Sequence, residues 1–286
     1  MGHQFSLAHL TVMDLTPPEM IHIASRAGYD FVGIRLIPMG VPGEHAYLPE
    51  DKEMIRRTKA ALDETGIRLL DLELAQIVAD RDPKTYVPAR ETAAELGARH
   101  VISSAWTKDR TGQESTGRDF IIERYAEICD LARPFGLTVD LEFPTFSRLT
   151  NLQEAADIVR AADRPNGGLL VDTLYIHFSR MKIEDLQAIP REWFHFMHIS
   201  DTRKDIPDTQ EDIVRIAREE RLYPGEGCID FKAILSRVPA IPYALELPNA
   251  ERVKELGYEG HARRCLEMAK RCFADPIHRE APAHST

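Results

Sequence analysis

The 286-residue chain predicts a single (β/α)8 barrel of parallel strands. Three observations carry that prediction. Short apolar, β-like runs alternate with helix-like segments from one end to the other, and there are eight such units, the number that closes a barrel. The last four runs each place a metal-binding side chain at or near their C-terminal end, where barrel active sites are built. No internal repeat or linker divides the chain, and its length is common for one barrel.

The elements follow in order. Ser6–Val12 (SLAHLTV) reads as the first strand. Thr16 caps a helix that Pro17 and Pro18 open and that runs through Ala27. Phe31–Leu36 is the second strand, followed by a Pro/Gly-rich loop from Ile37 to Pro49. A helix over Asp51–Thr65 stops at Gly66, as a C-terminal glycine would stop it. IRLLDLEL is the third strand, and Asp82-Pro83 starts a helix that ends before Gly97. HVISS is the fourth strand; the polar loop TKDRTGQESTG leads from it into a helix ending near Phe135-Gly136. LTVDLE is the fifth strand, and Asn151 caps the next helix. LLVD, FHFMHIS and YALEL are strands six to eight, and the last helix spans Gly257–Phe273. Residues 1–274 form one domain; the polar segment 275–286 is expected to be a flexible tail.

Composition bounds the function. The chain is 43% hydrophobic and 29% charged, enough for a sizeable core. A formal charge of −10, with no basic cluster, argues against nucleic acid as a partner. No stretch approaches the roughly 20 apolar residues that cross a bilayer, and the N-terminus lacks the basic start and apolar segment of a secretory signal. Cys129, Cys228, Cys265 and Cys272 are scattered without CxxC spacing, the pattern of reduced cytoplasmic thiols. The partner expected is a small molecule. A homo-oligomer is compatible with the sequence, but no residue marks an interface.

The chemistry gathers at the strand ends. TVDLE ends at Glu142, GLLVD at Asp172, FHFMHISD carries His198, and YALE ends at Glu246. A carboxylate rarely tolerates the end of a buried strand without a partner, and four runs that end alike point to a shared one. Consecutive strands converge on one mouth, so the four side chains would surround a single divalent cation. Three carboxylates and one imidazole suit Mn²⁺ first, with Mg²⁺, Co²⁺ or Zn²⁺ as the other fits. His195 lies three residues before His198, which puts the two on opposite faces of a strand; His198, at the strand end, is the ligand. Asp201 is expected to orient the loop or a ligand as a hydrogen-bond acceptor.

The order Glu–Asp–His–Glu on strands five to eight resembles the xylose isomerase-like TIM barrels, which include sugar phosphate isomerases and epimerases and the metal-dependent abasic-site endonucleases. The matching pieces are DLEFP, LLVDTLY, FMHISD, YPGEGCIDF and YALELP. The resemblance implies that the four residues bind one divalent metal and that Glu142 and Glu246 act as acid and base on either side of a keto-sugar. It also exposes departures. Tyr175 stands where epimerases often carry a histidine, with His177 two residues on. Lys204, beside Arg203, stands where they often carry an arginine, so the cation survives without its fork geometry. Strand four ends in Ser103-Ser104, which leaves the endonucleases' larger histidine cluster incomplete.

Further candidates for substrate contact are Arg35, Glu73, Trp106, Tyr175, His177, Arg203, Lys204 and Glu226. Arg35 and Glu73 either meet the substrate or pair with each other. Trp106 either walls a pocket for a sugar-like face or packs a loop. Glu226, on a Gly-flanked turn, either shapes that turn or approaches the substrate. His9 reads as a hydrogen-bonding core residue.

The leading expectation is a metal-dependent isomerase or epimerase of a small polyhydroxylated keto compound, working through an enediolate. The alternative is a lyase or dehydratase on a related cyclic ketone, of the inosose or 3-dehydroshikimate type. An abasic-site endonuclease and a non-catalytic metal-stabilised barrel are the remaining readings.

Overall fold

Eight parallel strands close on themselves in chain order: β1 (Phe5–Leu7), β2 (Phe31–Arg35), β3 (Arg68–Ile77), β4 (His100–Ala105), β5 (Thr138–Glu142), β6 (Gly167–Asp172), β7 (Met197–Ile199) and β8 (Tyr243–Leu245). The structure is a computed structural model that describes residues 2–40, 45–106 and 117–274. The tail 275–286, most of the loop after β4 and part of the loop after β2 lie outside the described residues. The closing pair is β1 with β8, in register at Ser6–Ala244 and Leu7–Leu245.

Around the barrel lie α1 (Pro17–Ala27), α2 (Lys52–Thr65), α3 (Val87–Glu95), α4 (Arg118–Ala132), α5 (Leu152–Ala162), α6 (Thr173–Phe178), α7 (Gln210–Glu219), α8 (Phe231–Leu235) and α9 (Ala250–Ala274). Their ends follow local chemistry. The Glu19 carboxylate accepts the Thr16 backbone N–H at 2.9 Å to start α1. Asp51 and Asn151 accept from Met54 and Glu154 to start α2 and α5. None of the described helices is long and apolar enough to cross a membrane.

The structure corrects several boundaries. The first strand ends at Leu7, and His9–Val12 forms a 3-10 turn instead. The cause is Thr11, whose hydroxyl donates to the Leu245 carbonyl and accepts the Leu247 N–H, tying the turn to the end of β8. The seventh strand keeps only Met197–Ile199. The last helix starts earlier, at Ala250, with a break at Gly257.

Two apolar layers hold the fold. The larger lies between strands and helices; the smaller, inside the barrel, is built by Phe31, Leu70, Leu74, Ile102, Leu170, Phe196 and Ala244. Side chains two apart on a strand face the same way, so Ile102, Leu170, Phe196 and Ala244 share the interior with their polar neighbours. Above this plug stand Glu142, Asp172, His198 and Glu246; below it stand His100 and Asp140. The interior is therefore largely apolar between two polar ends, with the buried Asp71 carboxyl near enough to interact with His198 and Glu246 above and Asp140 below.

Candidate metal centre

Glu142, Asp172, His198 and Glu246 come from the ends of four consecutive strands, and one ligand atom from each lies within 4.8 Å of all the others. All four are buried. His198 Nδ1 is 3.3 Å from Glu246 and 3.6 Å from Glu142. Neither His198 nitrogen makes a well-formed hydrogen bond, and the same is true of Glu142 Oε1. Buried polar atoms without partners are costly. Here they converge on one point and carry net negative charge, so the donor set fits a divalent cation.

Sequence reasoning missed Arg221. Its side chain is 1% exposed, and its guanidinium reaches Asp172 at 2.7 Å and Glu246 at 2.8 Å. It also donates to the Glu246 carbonyl at 3.1 Å and the Ala217 carbonyl at 2.8 Å. The only signal was an arginine directly ahead of the LYPGEG stretch. It arrives on a loop, and strand periodicity says nothing about loops.

Arg221 makes the two glutamates unequal. Burial pushes Glu142 up to about 7, and the neighbouring Glu246 charge adds to the rise against the pull of His198. Burial would raise Glu246 too, but His198 and Arg221 outweigh it and hold this carboxyl well below its ordinary value. His198, which burial alone would lower, is held well above its ordinary value by Glu246 and Glu142. Burial also raises Asp172, against the pull of Arg221. Two carboxyls driven apart in this way are a common arrangement for acid–base work.

A cavity of about 180 Å³ opens over the centre, lined by Glu142, Glu246, Arg35, Trp106, Tyr175 and Arg221, with Phe146 and Met13 among its other walls. Arg35 pairs with Glu73 at 2.6 Å and still lines the cavity, so Glu73 acts through it. Tyr175 is buried edge-on to Phe146, with ring centroids 5.9 Å apart. Trp106 stands 6.0 Å from the same ring.

Four expected substrate contacts lie elsewhere. His177 and Lys204 line a separate cavity of about 610 Å³ with Cys228 and Ile234; His177 Nε2 is 3.0 Å from the Lys204 carbonyl. Arg203 is exposed and lines neither of these cavities. Glu226 is exposed, pairs with Arg252 at 2.7 Å and accepts the Tyr223 N–H. His177 sits on α6, and Arg203, Lys204 and Glu226 lie on the long segment after β7 away from the first cavity, which Arg221 from the same segment lines instead. Asp201 accepts N–H groups from Thr202, Gly225, Gly227 and Ile229 at 2.8 to 3.1 Å, so it orders the loop. His9 is buried, with Nδ1 accepting the Arg35 N–H and Nε2 on the Leu15 carbonyl.

The model of the xylose isomerase-like TIM barrel family matches residues 21–272. The chain belongs to that family. An inosose isomerase of Bacillus velezensis is 27% identical over 261 residues, 87% of this chain and 88% of the relative. A 3-dehydroshikimate dehydratase of Pseudomonas aeruginosa is 28% identical over 151 residues, which is 52% of this chain but only 23% of that enzyme. Among solved structures, the IOLI protein with a bound zinc atom superposes with a TM-score of 0.77 at 22% identity, covering 95% of this chain and 98% of that one.

Proposed function

We propose that the chain is a divalent-metal-dependent isomerase of a small polyhydroxylated cyclic ketone of the inosose type. The carrying observation is geometric: Glu142, Asp172, His198 and Glu246 converge on one cation-fitting point, and Arg221 pairs with Glu246 at 2.8 Å and with Asp172 at 2.7 Å. The family and the inosose isomerase relative support the substrate class. The cation, when bound by Glu142, Asp172, His198 and Glu246, would draw charge from the substrate carbonyl and its neighbouring hydroxyl and so acidify the carbon between them.

The chain's own residues do the rest. Glu142 accepts the proton from the hydroxyl-bearing carbon next to the carbonyl, leaving an enediolate; the proton of that hydroxyl passes to the former carbonyl oxygen, and Glu142 returns its own proton to the former carbonyl carbon. The carbonyl thereby moves by one position, with no net loss of atoms. A carboxylate that holds the cation through one oxygen keeps the other free to take and return the proton. Glu246, held ionised by Arg221, stays a fixed negative group on the other side. Arg35 and the Tyr175 hydroxyl meet substrate hydroxyls, while Trp106 and Phe146 offer apolar faces to the ring carbons.

The test is incubation in D₂O with Mn²⁺ and a panel of inososes, keto-sugars and 3-dehydroshikimate, followed by NMR. Deuterium beside a migrated carbonyl supports the proposal, and Glu142→Gln should slow it by about 10²–10⁴-fold. Loss of water with a new double bond would move the reading to a lyase, as the dehydratase relative favours. Absence of exchange in every compound would defeat both.

A further inference from the structure

The floor of the barrel holds a second ligand set that the mouth chemistry does not use. Strand alternation turns His100 and Ile102 of β4 inward together, and Asp140 together with Glu142 of β5. His195 comes from the segment just before β7 and lies under Gly168, where an added Cβ would fall 2.6 Å from its ring. One ligand atom from each of His100, Asp140 and His195 lies within 4.8 Å of the others. The imidazole rings are stacked, 5.5 Å between centroids and 19° from parallel. Asp140, fully buried, is hydrogen-bonded to His195 Nδ1 at 2.6 Å and lies 3.8 Å from His100 Nδ1. The Thr138 hydroxyl braces the set, 2.7 Å from His100 Nδ1 and donating to Asp140 Oδ2 at 3.0 Å.

We propose that His100, Asp140 and His195 form a second cation site, on the barrel floor, that takes a borderline transition ion such as Zn²⁺ or Co²⁺. The donor chemistry separates it from the mouth. Two imidazoles with one carboxylate favour Zn²⁺ or Co²⁺, whereas three carboxylates with one imidazole also accept harder ions such as Mn²⁺ and Mg²⁺. The hydroxyl that orients both His100 and Asp140 is the kind of outer support that ligands to a metal receive. The histidine side chains are 13% and 21% exposed, so an ion can enter from solvent and keep water in its remaining positions. Its role is mechanical. It would pin β4, β5 and the entry to β7 at the face of a barrel that serves stability rather than catalysis.

The experiment counts metal on the untagged chain by equilibrium dialysis against Zn²⁺, with thermal unfolding alongside. His100→Gln and His195→Gln should each lose one equivalent relative to the unsubstituted chain, while the mouth variant His198→Gln retains that equivalent. Zinc should raise the melting temperature of His198→Gln by several degrees, and adding His195→Gln to it should abolish the shift. Far-UV circular dichroism checks that the partly exposed His100 and His195 variants keep the fold. If both floor variants bind as much zinc as the unsubstituted chain, the proposal is wrong. If the chain binds a single equivalent, its loss in the floor variants still supports the floor site while counting against the mouth; its loss only in His198→Gln overturns the floor site.

Discussion

Arg221 sets the two glutamates apart. It touches Asp172 and Glu246 but leaves Glu142 to His198, and the two glutamates diverge accordingly. Arg221→Met would leave two buried carboxylates without their cation. We expect the metal-free protein to lose about 3–5 kcal/mol, read by urea unfolding, with part of the loss recovered in Mn²⁺. Arg90 is the opposite case: fully buried, with no hydrogen-bond partner for its guanidinium among the described residues, the Tyr86 ring 5.6 Å away and Glu127 acting on it through space. Burial lowers it to about 10. Replacing such a group with an apolar side chain of similar volume should cost nothing or stabilise by about 1 kcal/mol; a large loss in Arg90→Met would mean a hidden partner.

At the scale of elements, the loop after β7 matters most, because it carries Arg221 to the mouth. Asp201 gathers four of its N–H groups, and Gly227 packs so close that a Cβ would meet the Thr202 carbonyl at 2.1 Å. Asp201→Ala should cost about 2–4 kcal/mol, since one buried and three part-buried donors lose their acceptor. Hydrogen exchange at Gly225, Gly227 and Ile229 should speed up before that of the barrel strands. Helix starts were legible here, since Thr16, Asp51 and Asn151 are capping residues whose effect is local. The shortened seventh strand was not. His195 leaves the strand to meet Asp140, a contact spanning 55 residues, and it is set apart from His198 along the barrel axis rather than across a strand face.

For the whole molecule, pH and metal oppose each other. Glu142 rises from its ordinary 4.5 to about 7, so across that window the folded chain holds more protons than the unfolded one. The contribution of this group to the stability of the metal-free protein therefore falls as pH climbs through it, by on the order of 3 kcal/mol. Asp172 and Asp71, also raised by burial, act in the same direction. Glu246, held low, gives its full stabilisation already above its ordinary value and does not offset the fall. A cation needs these carboxyls ionised, so saturating Mn²⁺ should cancel the decline and bind more tightly at pH 8 than at pH 6. Below their ordinary 6.5, His9, His100 and His261, all lowered by burial, act the other way, so melting temperatures at a pH of about 6.5 to 8, with and without Mn²⁺, check both signs.

By itself the sequence determined the barrel and its four converging ligands. Strand alternation, helix caps and a charge closing each buried run are written into a few neighbouring residues, and eight βα units leave little choice of topology. Only the tertiary structure decided that Arg221 lines the mouth cavity and pairs with Asp172 and Glu246, that His177, Arg203, Lys204 and Glu226 lie away from it, and that His100, Asp140 and His195 meet on the floor. Those outcomes depend on where loops of irregular backbone travel and on contacts between distant segments, and no periodicity in the chain encodes either.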